Sequence, residues 1–452
     1  MLLAACGPAS TTDSGSGGQG SGGTSSAATG GTSGSGGANS GGASGHEGTG
    51  GSGGASGSGG VNGSGGVPGS GGAASGGVLG SGGRSGGGGA VGSGGRGGAG
   101  GRTSTGGTGS PGGAHGGAGG TLAGSGGVAG TDGAGGATAA TGPCDLLAAG
   151  GTPCVAAHST VRALYGAYAG NLYQVRRASD KTTKDIGVLS PGGFADASVQ
   201  DAFCMGTTCT ISILYDQSGK GNHLTSGPAG GHVKTPDAEA KADALKLSVG
   251  GHSVYALYIA TGMGYRNDKT TGVATGDQPE GEYMVTSGKH YNDGCCFDYG
   301  NAETTNDDDG AGTMEAVYFG TCTGWGKGSG NGPWVMADLE NGLFAGRTTG
   351  TNTSNVPQTS DYVTAIVKGK MGGFALKGGD AQAGMLTSFY DGARPSGYDP
   401  MKKEGAIILG IGGDNSNSAV GTFYEGYLTS GFPSDATDDA VQANIVAAGY
   451  GR

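Results

Sequence analysis

From about Ser14 to Gly142 the chain has almost no side chain large enough to bury. Gly, Ser, Ala and Thr fill the stretch, as in GSGSGGQGSGGTSS, and the 113 glycines of the 452 residues are concentrated there. An ordinary chain carries about 7% glycine. Without apolar bulk, nothing offsets the entropy of ordering, so a packed core is excluded. Residues 16–142 therefore read as a long disordered Gly/Ser-rich tether, with a root-mean-square span of roughly 60 Å by random-coil scaling.

Other absences narrow the function. The net charge is −11. Before residue 143, Asp13, Glu47 and Asp132 cancel Arg84, Arg96 and Arg102, so the acidic excess falls on residues 143–452. That argues against nucleic acid or an anionic membrane surface as partner, while a neutral polysaccharide is indifferent to it. The seven histidines are scattered, with no His-x-x-x-His or Cys-x-x-Cys pattern, so no metal and no cofactor is expected. No long apolar run suggests a membrane-crossing helix. The start, MLLAACG, lacks the basic region and longer apolar stretch of an ordinary export signal. Leu3-Ala4-Ala5-Cys6 nevertheless matches a bacterial lipoprotein cleavage box. Residues 1–15 are thus expected to hold a signal remnant and anchor, with lipidation at Cys6 and a true start a few residues earlier. The competing reading is an incidental Cys.

What is present lies beyond residue 143, in one stretch of ordinary composition long enough for a single large domain. Short β-type runs broken by Gly, Asn and Asp recur at 172–176 (LYQVR), 210–215 (TISILY), 254–259 (VYALYI), 315–319 (EAVYF), 334–339 (WVMADL), 362–367 (YVTAIV), 406–411 (AIILGI) and 423–428 (FYEGYL). Their spacing predicts an all-β sandwich or barrel. One helix is predicted near the end: Ser434 caps it, Val441, Ile445 and Ala448 recur at helical spacing, and Gly449 stops it. Seven cysteines remain besides Cys6. Cys144/Cys154 and Cys204/Cys209 bracket short loops, Cys295 and Cys296 are adjacent, and Cys322 is left over, a pattern that suits an oxidised, exported protein.

Three clusters carry chemistry. In GPWVMADLENGLF (332–344), strand alternation sends Val335, Ala337 and Leu339 to the core and lines Trp334, Met336, Asp338 and Glu340 on the other face. A ring and two carboxylates in one row suit a sugar site: the ring packs on the C–H face of a sugar, and one carboxylate attacks an anomeric carbon. A solvated outer face with a half-buried Trp is the alternative. In EGAIILGIGGDNSN (404–417), an apolar strand runs into a Gly-Gly turn bearing Asp414 and Asn415. Glycine permits close approach of a ligand, and a partly dry Asp there can serve as an acid. A plain Asp-Asn turn is the common use of those residues. The third cluster is Cys295-Cys296 in YNDGCCFDYGN. A bridge between neighbours, bonds to different partners, two free thiols and a cysteine nucleophile all remain open, although only His290 sits nearby in sequence. Trp325 and Trp334 both precede Glu340 closely, as a sugar platform would require.

Five segments in order, AAHSTVRALYGAYAGNLYQVRR, ILYDQSGKGNHL, HYNDGCCFDYGNAET, GPWVMADLENGLF and EGAIILGIGGDNSN, resemble the catalytic domain of the family 54 glycoside hydrolases, α-L-arabinofuranosidases of the B type. The resemblance covers essentially all of residues 144–450. It implies a concanavalin-like β-sandwich over 143–452, with Glu340 as nucleophile and Asp414 as general acid/base. Cys295-Cys296 matches a vicinal disulfide walling the arabinose pocket. Trp325, Asp338, Asn341 and Gly413 match positions around the sugar, and Cys144–Cys154 and Cys204–Cys209 match two further disulfides. The implied reaction is retaining hydrolysis of terminal non-reducing α-L-arabinofuranosyl groups from arabinan, arabinoxylan or related polymers or oligosaccharides, without cofactor or metal. The enzyme is expected as an exported monomer, at the cell surface or outside the cell, touching a membrane only through a lipid anchor. The family's C-terminal β-trefoil, which binds arabinose side chains, has no match after Tyr450; the tether and anchor are expected to take its place. A non-catalytic sugar-binding sandwich is the rival reading.

Overall fold

The structure, a computed structural model, describes residues 141–452. The expectations for the tether and for Cys6 lie outside these residues. Two large antiparallel sheets dominate. One has eight strands, in the order Thr387–Ala393, Gly373–Asp380, Val363–Lys370, Glu280–Thr286, Gly421–Thr429, His252–Ile259 and Leu245–Val249, with Cys154–Ser159 paired to Gly421–Thr429 off this path. The other has ten, in the order Leu343–Phe344, Trp334–Asp338, Glu315–Gly320, Asp298–Ala302, Ala406–Leu409, Tyr265–Asn267, Leu224–Ser226, Cys209–Leu214, Asn171–Arg177 and Thr183–Gly187. All eight β-type runs of the sequence are strands.

Residues from both sheets merge into one apolar core. Val335, Ala337 and Val317 of the ten-stranded sheet join Val285, Val363, Val367 and Phe423 of the eight-stranded one. The Glu280–Thr286 and Gly421–Thr429 strands are buried along their whole length, because the eight-stranded sheet is covered on its outer side as well. The C-terminal helix, Asp435–Ala448, packs there. Ser434 Oγ accepts from Thr437 N at 3.2 Å, and Gly449 ends the helix with a left-handed φ of 75°. Its Asp438 meets Lys368 Nζ at 2.5 Å and Lys377 Nζ at 2.8 Å. Two short helices, Pro143–Ala149 and Ala197–Phe203, had no periodic signal to reveal them, being only seven residues each. Cys144–Cys154 and Cys204–Cys209 are disulfides, and no described cysteine is a free thiol. No helix among the described residues is long and apolar enough to cross a membrane.

Candidate active site

The Trp334–Asp338 strand pairs with Glu315–Gly320, which pairs with Asp298–Ala302. Register sets Ala316 opposite both Asp338 and Gly300, so Asp298 and Asp338 share the face turned away from the main core. That face is not solvated. Trp334 and Met336 are fully buried in a small cluster with Tyr318, Cys322, Leu343 and Cys296, and the Trp334 ring nitrogen donates to Ser329 O at 2.8 Å. Trp334 is thus a floor beneath the site and not a sugar platform. Of the two tryptophans, Trp325 alone lines the pocket.

Strand alternation also placed Glu340 by the wrong route. The strand ends at Asp338, and Glu340 and Asn341 both take left-handed backbone, with φ of 58° and 56°. Asp338 Oδ1 accepts from Glu340 N at 3.1 Å, which stabilises the turn. The carboxyl of Glu340 therefore enters the pocket from a turn, still beside Asp338. On the opposite wall, the Ala406–Leu409 strand leads through Gly410 into a tight loop. Asp414 Oδ1 accepts from Ser416 N at 2.9 Å, and Gly412 N donates to Ser416 O at 2.9 Å. The Asp-Asn turn forms part of the pocket wall. His232 N donates to Asp414 O at 2.9 Å, fixing the loop from a third segment.

These pieces enclose a pocket of about 130 Å³ lined by Glu340, Asp338, Asn341, Asp414, Gly413, Trp325 and the Cys295–Cys296 pair, with His232 and Ser416 among the rest. A cavity of about 150 Å³ in another protein holds one benzene, so the pocket is on the scale of a single small ring. Cys295 and Cys296 are bonded to each other across a cis peptide, with Cα atoms 2.9 Å apart. Cys296 Sγ lies 3.4 Å from Asp338 Oδ2. Cys295, Cys296 and Asp338 are close enough to suggest a metal triad. However, sulfurs joined to each other are neither thiolate ligands nor nucleophiles. Asn341 donates to Asp308 Oδ1 at 2.7 Å, and its carbonyl accepts from Tyr398 OH at 2.8 Å.

Sequence reasoning missed Glu303, Asp298 and Arg266. Glu303 and Asp298 are fully buried, and their carboxyls face those of Glu340 and Asp338 respectively, with Glu303 Oε2 and both Asp298 oxygens lacking a donor among the described residues. Burial, then the neighbouring acids Glu303 and Asp338, push the Glu340 carboxyl far above its ordinary range. Burial likewise lifts Asp338 to about 7 and Asp298 well above the carboxylate range. Gly413 is held by Arg266 Nη1, which donates to its carbonyl at 2.6 Å. A Cβ there would overlap Glu303 Oε2 and come within 3.0 Å of Glu340 Oε2, so glycine is required. No local pattern announces Glu303: in GNAETTNDDDG it reads as the start of a solvated acidic turn.

The arrangement has close counterparts. Residues 143–451 match the family model described as α-L-arabinofuranosidase B, catalytic. A probable α-L-arabinofuranosidase B of Aspergillus terreus is 59% identical over 318 residues, covering 69% of this chain and 63% of that protein. An α-L-arabinofuranosidase of Hypocrea jecorina is 58% identical, with 69% and 63% covered. Among solved structures, an arabinofuranosidase complexed with arabinofuranosyl-α-1,2-xylobiose superposes with a TM-score of 0.67 at 55% identity, over 69% of this chain and 66% of that one. A family 54 α-L-arabinofuranosidase soaked with a cyclic sulfate inhibitor gives the same TM-score at 56% identity and the same coverage. The chain thus spans less than two thirds of the length of these relatives.

Proposed function

The chain belongs to the family of α-L-arabinofuranosidase B catalytic domains, and from that premise we propose that it removes terminal non-reducing α-L-arabinofuranosyl groups from arabinan, arabinoxylan or related polymers, with retention of configuration. The observation that carries this reading is the convergence of Glu340 and Asp414 on one ring-sized pocket beside Trp325 and the Cys295–Cys296 disulfide. Asp414 protonates the leaving oxygen while Glu340 attacks the anomeric carbon. Asp414, now a base, then activates the water that hydrolyses the glycosyl ester. Trp325 packs on the apolar face of the sugar, Asp338 and Asn341 bind its hydroxyls, and the disulfide forms one wall. No cofactor or metal takes part.

In the same reading the two sheets form a concanavalin-like sandwich over residues 143–452 of a monomer. Residues 16–142 are a tether, and Cys6 is the lipid attachment point of an exported, cell-surface or extracellular protein. A chain starting at Gly142 should then keep its activity on small substrates. The deciding experiment is release of the aryl alcohol from an aryl α-L-arabinofuranoside, followed with the anomeric configuration of the first-formed arabinose by NMR. Retained α product supports the reading; no release, or β product, overturns it.

A further inference from the structure

Glu303 follows the Asp298–Ala302 strand and is fully buried. Its Oε1 lies 2.7 Å from Thr313 Oγ1. Its Oε2 is buried without a hydrogen-bond partner among the described residues, and its carboxyl faces that of Glu340 beside its own main-chain N–H. A Cβ on Gly413 would meet both Glu303 Oε2 and Glu340 Oε2, so the two oxygens converge on one glycine. The cation at hand is Arg266, but its nitrogens are spent elsewhere. Nε donates to Asp268 Oδ1 at 2.5 Å, Nη1 to Gly413 O at 2.6 Å, and Nη2 to the main-chain carbonyl of Glu303. Two carboxyls in contact, in a dry site with no donor between them, hold one charge and one proton, not two charges. If the proton rests on Glu340, that residue cannot attack carbon.

We propose that Glu303 is a positioning residue of the reaction: it remains a neutral acid in the active enzyme and donates a hydrogen bond to Glu340, keeping that carboxylate charged and aimed at the anomeric carbon. The proposal rests on the reading of Glu340 as nucleophile. The proton of Glu303 is never transferred. In the first step a Glu340 oxygen bonds to the anomeric carbon, the glycosidic C–O bond breaks, and its electron pair leaves with the oxygen that Asp414 protonates. The hydrogen bond from Glu303 then falls on an ester oxygen and weakens. It strengthens again as water, deprotonated by Asp414, displaces Glu340 as a carboxylate. Glu303 therefore assists the departure of Glu340 as well as its attack. Burial raises the proton affinity of Glu303, while Thr313, Glu340 and Arg266 lower it, and burial beside Glu303 raises that of Glu340. The assignment of the shared proton to Glu303 therefore rests on the need for a charged Glu340 as nucleophile.

The other titratable groups facing the pair are Asp338 and Asp298 behind it, Asp414 and His232 across the pocket, and Tyr398 and Arg266 at its edges. None is altered by substitution at 303. Glu303→Gln keeps a neutral donor, and Glu303→Leu removes it. The pH profile of kcat/KM separates the alternatives by sign. With Glu303 neutral, Glu303→Gln should stay within about fivefold of the parent, while Glu303→Leu should lose about 10–100-fold, the scale of one charge-assisted hydrogen bond. The acidic limb of Glu303→Leu should also move to higher pH, because a buried carboxylate without its donor holds a proton more tightly. If Glu303 were the charged partner, both substitutions would remove a negative neighbour and move the limb to lower pH, which overturns the proposal. An unmoved limb in both variants means simple packing and overturns it too. Should Glu303→Leu not fold, Glu303→Gln decides alone: a limb displaced to lower pH, or a loss beyond 100-fold, sinks the idea. Glu340→Gln separates this from the underlying reading, since normal turnover in that variant removes both, whereas a dead Glu340→Gln with an overturning Glu303 result removes only the role of Glu303.

Discussion

Two groups of buried acids can be set side by side. Between the sheets, Glu280, Glu282 and Glu315 are fully buried, and so is Lys403, whose Nζ lies 2.6 Å from Glu280 Oε1 and 2.9 Å from Glu315 Oε2. Asn301 N donates to Glu282 Oε1 at 2.9 Å, and Arg394 approaches Glu315 at 3.8 Å. In the pocket, Asp298, Glu303, Asp338 and Glu340 face one another, and no described cation donates to their carboxyls. The first group is compensated in part: Lys403 pairs with Glu280 and Glu315, while burial and those two acids hold the Glu282 carboxyl well above the carboxylate range. The second has no cation of its own among the described residues and faces the pocket, where the proposed reaction would develop a positive charge on an anomeric carbon. A cation inside the cluster serves the fold; leaving it out, in the proposed function, serves the reaction at the fold's expense.

The comparison predicts opposite outcomes for substitutions in the two groups. Glu340→Gln should cut turnover by several orders of magnitude, measured on an aryl arabinofuranoside. Its urea midpoint at neutral pH should rise, because a repelled carboxyl has been made neutral. Lys403→Met should do the reverse. Removing one partner of a buried charge cluster costs about 3–5 kcal/mol, read as a lower urea midpoint, while kcat/KM at low temperature stays near that of the parent. A Lys403 variant that lost turnover without losing stability would break the contrast.

Smaller effects sharpen it. The raised affinity of Asp338 for its proton contributes stability that is complete below the usual carboxylate range and is lost as pH rises through about 7. Stability should therefore fall between about pH 4 and pH 7. Asp338→Asn should flatten that slope by up to about 1.4 kcal/mol per pH unit, one proton's worth. An unchanged slope from chemical denaturation would show that another group carries it. Smallest is the pocket wall. Replacing both Cys295 and Cys296 by Ser should raise KM about tenfold, the value of one lost apolar contact, yet leave kcat measurable because Glu340 and Asp414 remain. A folded double variant with no turnover at all would mean that the disulfide does more than line the pocket.

Much of the sheet was legible in the sequence. Runs such as VYALYI and AIILGI announce strands through β-branched and aromatic residues, and Ser434 with Gly449 brackets the helix. Asp338, Glu340 and Asp414 stood out because carboxylates beside Trp or in a Gly-Gly turn are chemically unusual there. The supporting acids did not. Asp298 and Glu303 matter only through cross-strand register and through loops distant in sequence, and single-strand patterns carry no register between strands. For the same reason Trp334 looked like a platform: alternation gives its face but not what covers that face.

Glu340 and Asn341 sit consecutively in left-handed backbone. Asn tolerates that conformation, while a long side chain such as Glu holds it at a cost of about 1–2 kcal/mol. Any programme that improves this protein by relieving its backbone would therefore be drawn first to position 340. Glu340→Gly is the substitution such a programme would favour, and it would yield a sturdier protein with the proposed nucleophile erased. A screen for thermal tolerance alone would steer toward that dead end, so selection for durability here has to be run with turnover as a second, independent gate.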